Sequence, residues 1–117
     1  FYIKRLHKYK KFINFLQQKE GYTNTMWFFC IFFNNKKIMN RFIRYLLINN
    51  IETRKTFIPL SNMMIYRKFV KKSYKNSSII YNKLLSLPSS SNLSIKELVY
   101  ICNKIDIFFK KYEKNNR

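Results

Sequence analysis

The side chains best suited to chemistry are few in this sequence: five carboxylates, one histidine and two cysteines. Glu20, Glu52, Glu97, Asp106 and Glu113 fall on different segments, and no pair has a spacing that suits acid–base work. His7 lies in a basic stretch and reads as a solvated surface residue rather than a base. Cys30 and Cys102 are far apart, with no other Cys or His at metal-ligand spacing, so two buried thiols in a reducing compartment are expected. The single glycine, Gly21, cannot build a phosphate-cradling loop, and neither G-x-x-x-x-G-K-[ST] nor G-x-G-x-x-G occurs. No residue of this chain is therefore assigned a catalytic, cofactor-binding or metal-binding role, and a self-contained active site is not expected.

The elements that would carry any site follow from periodicity. Over residues 1–18, Ile3, Leu6, Ile13 and Leu16 recur at roughly helical spacing with a basic face between them, and Gly21 reads as the breaker. Residues 25–33 have strand length and apolar residues on both faces, which predicts a strand buried on both sides, with Trp27 in the core. Ile38, Phe42, Ile43, Leu46 and Leu47 form one stripe of a helix over 36–48, stopped by Asn49 and Asn50. Residues 51–57 alternate as a strand does, and Pro59 ends it.

Residues 61–76 read as a loop with one helical turn. Ile79, Ile80, Leu84 and Leu85 suggest a short helix, and Leu85 and Leu87 a short strand ending at Pro88. Ser94 and Glu97 make an S-x-x-E capping box, in which two amide donors at the helix start are satisfied reciprocally. Behind it Leu98, Ile101, Cys102, Ile105, Phe108, Phe109 and Tyr112 share one face, and a frayed polar tail follows over 114–117. Helices alternating with strands predict an α/β (α+β) domain, a small sheet with helices packed on one face.

With 117 residues, the chain fits one domain with one modest core. Its 47% hydrophobic content excludes a disordered tail. The formal net charge of +19 suggests an anionic partner such as nucleic acid or an acidic membrane surface. An AT-rich coding sequence would give the same wealth of Lys, Asn, Ile, Phe and Tyr, and that reading of the charge is preferred. The longest apolar run, Met26 to Phe33, falls far short of the roughly 20 residues of a membrane helix. Charges break the amino-terminal stretch, so no secretory signal is read. A cytoplasmic protein without a membrane partner is expected. The sequence opens at Phe1, directly on a helical pattern with no capping residue before it, and is read as a fragment.

Three ordered segments say more. The first is Trp27-Phe28-Phe29-Cys30-Ile31, followed by a helix ending at Tyr45-Leu46. The second is Ile51-Glu52-Thr53-Arg54, then Phe57, Pro59-Leu60 and Tyr66. The third is Leu87-Pro88-Ser89-Ser90, Leu93, Glu97, Tyr100-Ile101 and Ile105. From near Arg5 onward the chain resembles the carboxyl-terminal end of the DegT/DnrJ/EryC1/StrS aminotransferases. That family commonly reads W-x-x-x-I, then G-I-E-T-R-x-x-F-x-P-L-H, then L-P-S/L-x-x-x-L and a helix of the D/E-x-x-x-I-x-x-x-I kind.

The resemblance implies the small domain of a fold-type-I enzyme, a mostly antiparallel sheet with about four helices. It implies a homodimeric enzyme dependent on pyridoxal 5'-phosphate, which moves an amino group, usually from glutamate, onto a nucleotide-linked keto sugar. The Schiff-base lysine and the carboxylate facing the pyridine nitrogen belong to a large domain upstream of this region. No lysine here has the serine-aromatic-x-x-x-lysine context, so the cofactor is expected to be held by that absent domain, and this chain alone is not expected to catalyse.

The resemblance also places the second segment nearest the substrate, with Arg54, Phe57, Pro59 and Ser61 as candidate substrate-binding residues. Arg54 could meet a carboxylate or phosphate in bidentate fashion, or close a structural ion pair. Phe57 and Pro59 could shape a cleft wall or pack in the core. Ser61 stands where many members have histidine, and Asn50 replaces a usual glycine. The rival reading is a small basic RNA-binding or ribosomal protein, with 12 Phe, 9 Tyr and one Trp available for stacking.

Overall fold

A computed structural model of the chain describes residues 1–16, 18–25 and 27–115. Four strands form one antiparallel sheet in the order β1-β2-β4-β3: β1 (Ile13–Phe15), β2 (Phe29–Phe33), β3 (Arg54–Lys55) and β4 (Leu84–Leu87). Among the described residues four α-helices accompany it: α1 (Tyr2–Leu6), α2 (Lys36–Ile48), α3 (Lys75–Lys83) and α4 (Ile95–Lys114). The small antiparallel α/β architecture agrees with the expected fold class.

Register decides which face of the sheet is the core. Phe29 pairs with Leu87, Ile31 with Leu85 and Ile13 with Phe33, so these side chains share one face. They are buried or nearly so, against Ile38, Met39, Phe42 and Leu46 of α2 and Ile101, Ile105 and Phe109 of α4. Each such side chain contributes roughly 1.5–3 kcal/mol by leaving water. The other face carries Cys30, Phe32, Leu84 and Ser86; Cys30 and Phe32 are only half-buried, so β2 is not covered equally on both sides.

The two long helices follow local rules. The Asn35 side chain accepts from the Lys37 amide at 2.7 Å and starts α2. Asn50 adopts φ 58° beyond its end. At α4 the Ser94 hydroxyl accepts from the Glu97 amide at 3.2 Å, while Glu97 Oε2 accepts from the Ser94 amide at 2.7 Å.

Five expectations fail locally. The helix over 1–18 ends at Leu6, passes through a 3-10 turn at His7–Tyr9, and gives way to β1. Buried Tyr9 and Phe12 stack on Phe109 of α4, and the Asn34 amide donates to Phe12 O at 2.9 Å, so long-range packing overrides the local period. Gly21 (φ 79°) therefore sits in the β1–β2 loop rather than at a helix end. The strand over 51–57 shrinks to Arg54–Lys55, an edge strand paired only with Ser86 and Leu85. Segment 61–76 holds two 3-10 turns, Leu60–Asn62 and Met64–Phe69, before α3 begins. The tail joins α4 as far as Lys114; the last two residues of the expected frayed end lie outside the described residues. No described helix is long and apolar enough to cross a membrane.

Candidate functional site

Arg54 reaches its position through two backbone constraints. Edge strand β3 pairs it with Ser86, which places it on the sheet face away from the main core. Its Nε then donates to Glu52 Oε1 at 3.2 Å. Both side chains are more than 70% exposed, so this pair adds little to stability. The terminal nitrogens of the guanidinium have no partner among the described residues.

Arg54 and Glu52 line a cavity of about 640 Å³ with Trp27, Pro88, Ser90 and Ser91. Ser89 fixes its opposite wall: the hydroxyl accepts from the Phe29 amide and donates to Trp27 O, each at 3.3 Å. Trp27 is 73% exposed, not a core residue. The sheet begins only at Phe29, so Trp27 precedes the ladder and its ring packs on Phe28 instead, centroids 4.5 Å apart.

Phe57, Pro59 and Ser61 line a different cavity, about 810 Å³, walled by Tyr66, Phe69 and Tyr81. It is more apolar than the first, and Thr56 Oγ1 is buried at its edge with no hydrogen-bond partner among the described residues. Phe57 is 75% exposed and its ring stands 6.4 Å from that of Trp27 and 6.2 Å from that of Phe28, between the two cavities. The four expected site residues are thus divided: Arg54 in one groove, the other three in its neighbour. Trp27 and the serine run 89–91 are among the lining residues that sequence reasoning did not assign. The available signal was the L-P-S motif, which pairs with the segment carrying Trp27.

The remaining reactive groups lie elsewhere. His7 is exposed. Cys102 is fully buried, and burial is the main cause that holds its thiol above its ordinary pKa; Cys30 is half-buried, not buried as expected, with Sγ 3.4 Å from Ser86 Oγ. Asp106 accepts from Lys8 at 3.1 Å, and Glu97 is engaged at its cap. No cluster of three metal-binding side chains occurs among the described residues. Neither groove has a lysine among its lining residues, so these grooves do not by themselves fit pyridoxal phosphate, which needs an amine to hold it as an imine.

The sequence model of the DegT/DnrJ/EryC1/StrS aminotransferase family matches residues 1–106. No curated protein sequence matches the chain. Among solved structures, the aminotransferase TlmJ from Streptoalloteichus hindustanus superposes with a TM-score of 0.83 at 15% identity, over 96% of this chain and 30% of its own. PseC from Helicobacter pylori, an aminotransferase of pseudoaminic acid biosynthesis, gives 0.76 at 16% identity, over 94% and 30%. The sugar aminotransferase CalS13 from Micromonospora echinospora gives 0.73 at 12% identity, over 89% and 27%. At these identities the likeness speaks for the fold, and the chain spans less than a third of each of these proteins.

Proposed function

The chain belongs to the DegT/DnrJ/EryC1/StrS aminotransferase family, and on that premise we propose that it acts as the carboxyl-terminal small domain of a cytoplasmic, homodimeric sugar aminotransferase. The observation that carries this reading is the family match over residues 1–106. A large domain would hold pyridoxal phosphate, which when bound supplies the electron sink for moving an amino group. The donor is glutamate and the acceptor a nucleotide-linked keto sugar.

This chain contributes one wall of the substrate cleft. Arg54, paired with Glu52 and with its outer nitrogens unpartnered among the described residues, meets an anionic group of the substrate. Phe57 and Pro59 exclude water beside it, and Ser61 offers a hydroxyl where relatives of the same pattern carry histidine. An exposed, oriented cation beside an apolar wall suits an anionic sugar derivative better than a neutral one.

The full protein that carries residues 1–117 provides the test. Purified with pyridoxal phosphate, it should show a bound-cofactor absorbance band that glutamate shifts, with 2-oxoglutarate released in step. A spectrum that no amino donor alters overturns the reading.

The net charge of +19 keeps one rival in play, a single-stranded RNA binder. Such a binder should lose affinity steeply with salt, about 0.7 log units per log unit of salt for each phosphate neutralised. The aminotransferase domain should show only weak attraction that disappears near physiological salt.

A further inference from the structure

The turn beside the larger groove carries a surface that amino transfer does not use. Met64–Phe69 is a 3-10 helix, in which side chains three apart stand in one row. Tyr66 and Phe69 form the row that lines the groove. The other two rows each set an apolar side chain beside a cation: Met64 with Arg67, and Ile65 with Lys68. Met64 is 84% exposed and Ile65 70%. Lys71, Lys72 and Lys75 follow, and all five cations are exposed. None of the five forms an ion pair among the described residues, and the nearest carboxylates along the chain are Glu52 and Glu97. The Lys68 and Lys72 ammonium groups instead stand over the rings of Phe69 and Tyr74, 5.1 and 5.6 Å from their centroids. Codon bias accounts for the abundance of Lys and Ile, but not for the pairing of apolar and cationic side chains row by row on one turn.

We propose that segment 64–75 docks on an anionic lipid surface, with Met64 and Ile65 entering the edge of the acyl layer and the five cations meeting the headgroups. Two demands sit side by side on this turn. Exposed aliphatic chains gain by leaving water, and unpaired cations gain by meeting anions. A bilayer of acidic lipids meets both within the reach of one side chain. A single-stranded nucleic acid meets only the second. Met64 and Ile65 offer no flat face to a base, and one face of Phe69 and of Tyr74 is already taken by a lysine. Clusters of about four to eight cations are of the size that holds acidic lipids. This departs from the expectation of no membrane partner, which rested on the want of a spanning segment. Surface contact needs no such segment, and no described helix supplies one. The proposal goes beyond the aminotransferase reading and does not depend on it.

The test uses the full protein that carries residues 1–117, sedimented with vesicles at about 0.15 M salt. It should bind vesicles of equal parts phosphatidylserine and phosphatidylcholine and leave vesicles of phosphatidylcholine alone. Each cation at an acidic surface is worth about fivefold in partitioning, so Lys68→Gln with Lys72→Gln should weaken binding about 25-fold. Met64→Ser with Ile65→Ser leaves the charge unchanged and should weaken binding about tenfold. All four side chains are exposed, so both variants should keep the parent melting temperature. A lower melting temperature in the serine variant would place Met64 and Ile65 in an internal interface of the full protein and overturn the proposal. Equal binding to both kinds of vesicle, binding to neither, or a serine variant that binds as tightly as the parent would also overturn it. Polyuridylate is the nucleic-acid control: tighter binding to it than to the acidic vesicles, unaffected by the serine changes, would assign the cations to RNA instead. Sedimentation uses no amino donor and no turnover, so its failure leaves the aminotransferase reading standing.

Discussion

The rings of Tyr9 and Phe109 stack with centroids 4.6 Å apart, joining the amino-terminal segment to the final helix across almost the whole length of the chain. Phe109 is fully buried and also meets Phe12, Phe42 and Phe108. Phe109→Ala should therefore open a cavity at the junction of three elements and cost about 3–5 kcal/mol. Urea denaturation checks this: the midpoint should fall sharply with the slope unchanged, whereas Phe109→Leu should recover most of the loss.

The Ser94–Glu97 box gives stability a pH dependence of known sign. Hydrogen bonds from the Ser94 hydroxyl and amide hold the Glu97 carboxyl below its ordinary pKa. A depressed folded-state pKa contributes stability that is present above the unfolded value, near 4.3, and is lost as pH falls through the lower folded value. Thermal melting should show this part of the stability flat from neutral pH to about 5 and declining below. Glu97→Gln should remove that share of the acid-side decline, and Ser94→Ala should cost about 1 kcal/mol at neutral pH.

Asn50 holds φ 58° just beyond α2, where the Ile51 amide reaches back to Leu46 O at 2.9 Å. A side chain without a β-branch tolerates this conformation, and glycine does so without strain. Asn50→Gly should be close to neutral, since its relief of strain is offset by added freedom in the unfolded chain. Asn50→Val should lose about 1–2 kcal/mol. The two variants compared by chemical denaturation separate backbone strain from any side-chain role.

What the sequence made legible was local. Helix α4 carries its own capping box and stripe, and α2 a stripe bounded by Asn49 and Asn50, so Ser94, Glu97 and the apolar positions of both helices sufficed to place them. The amino-terminal segment was misread because Tyr9 and Phe12 answer to Phe109, a partner that no local window contains. Strand β3 was overestimated because alternation signals only that a segment could pair. The partner, β4, offers it two residues. Motif order pointed to Arg54 and Phe57, but only the fold shows that they open onto separate grooves, Arg54 from the β3 edge and Phe57 from the loop beyond it. Trp27 was assigned to the core because a tryptophan among phenylalanines normally is; its exposure follows from the sheet starting two residues later.

The exposed apolar stretch in and beside the larger groove carries the last prediction. Phe57, Leu60, Met64, Ile65 and Phe69 are each at least 65% exposed along one stretch, far more apolar surface than scattered single residues would leave. No carboxylate occurs between Glu52 and Glu97, while Arg67, Lys68, Lys71, Lys72 and Lys75 crowd the same stretch, so mutual repulsion keeps copies of the chain apart at low salt. Adding salt shortens the reach of that repulsion to about 8 Å at 0.15 M and leaves the apolar attraction intact. The 117-residue chain should therefore self-associate as salt rises, visible as growing light scattering. Replacing Leu60, Met64 and Ile65 together by serine should abolish the rise without moving the melting temperature, because none of the three is buried. A chain that stays monomeric at all salt concentrations would mean that this surface does not drive association.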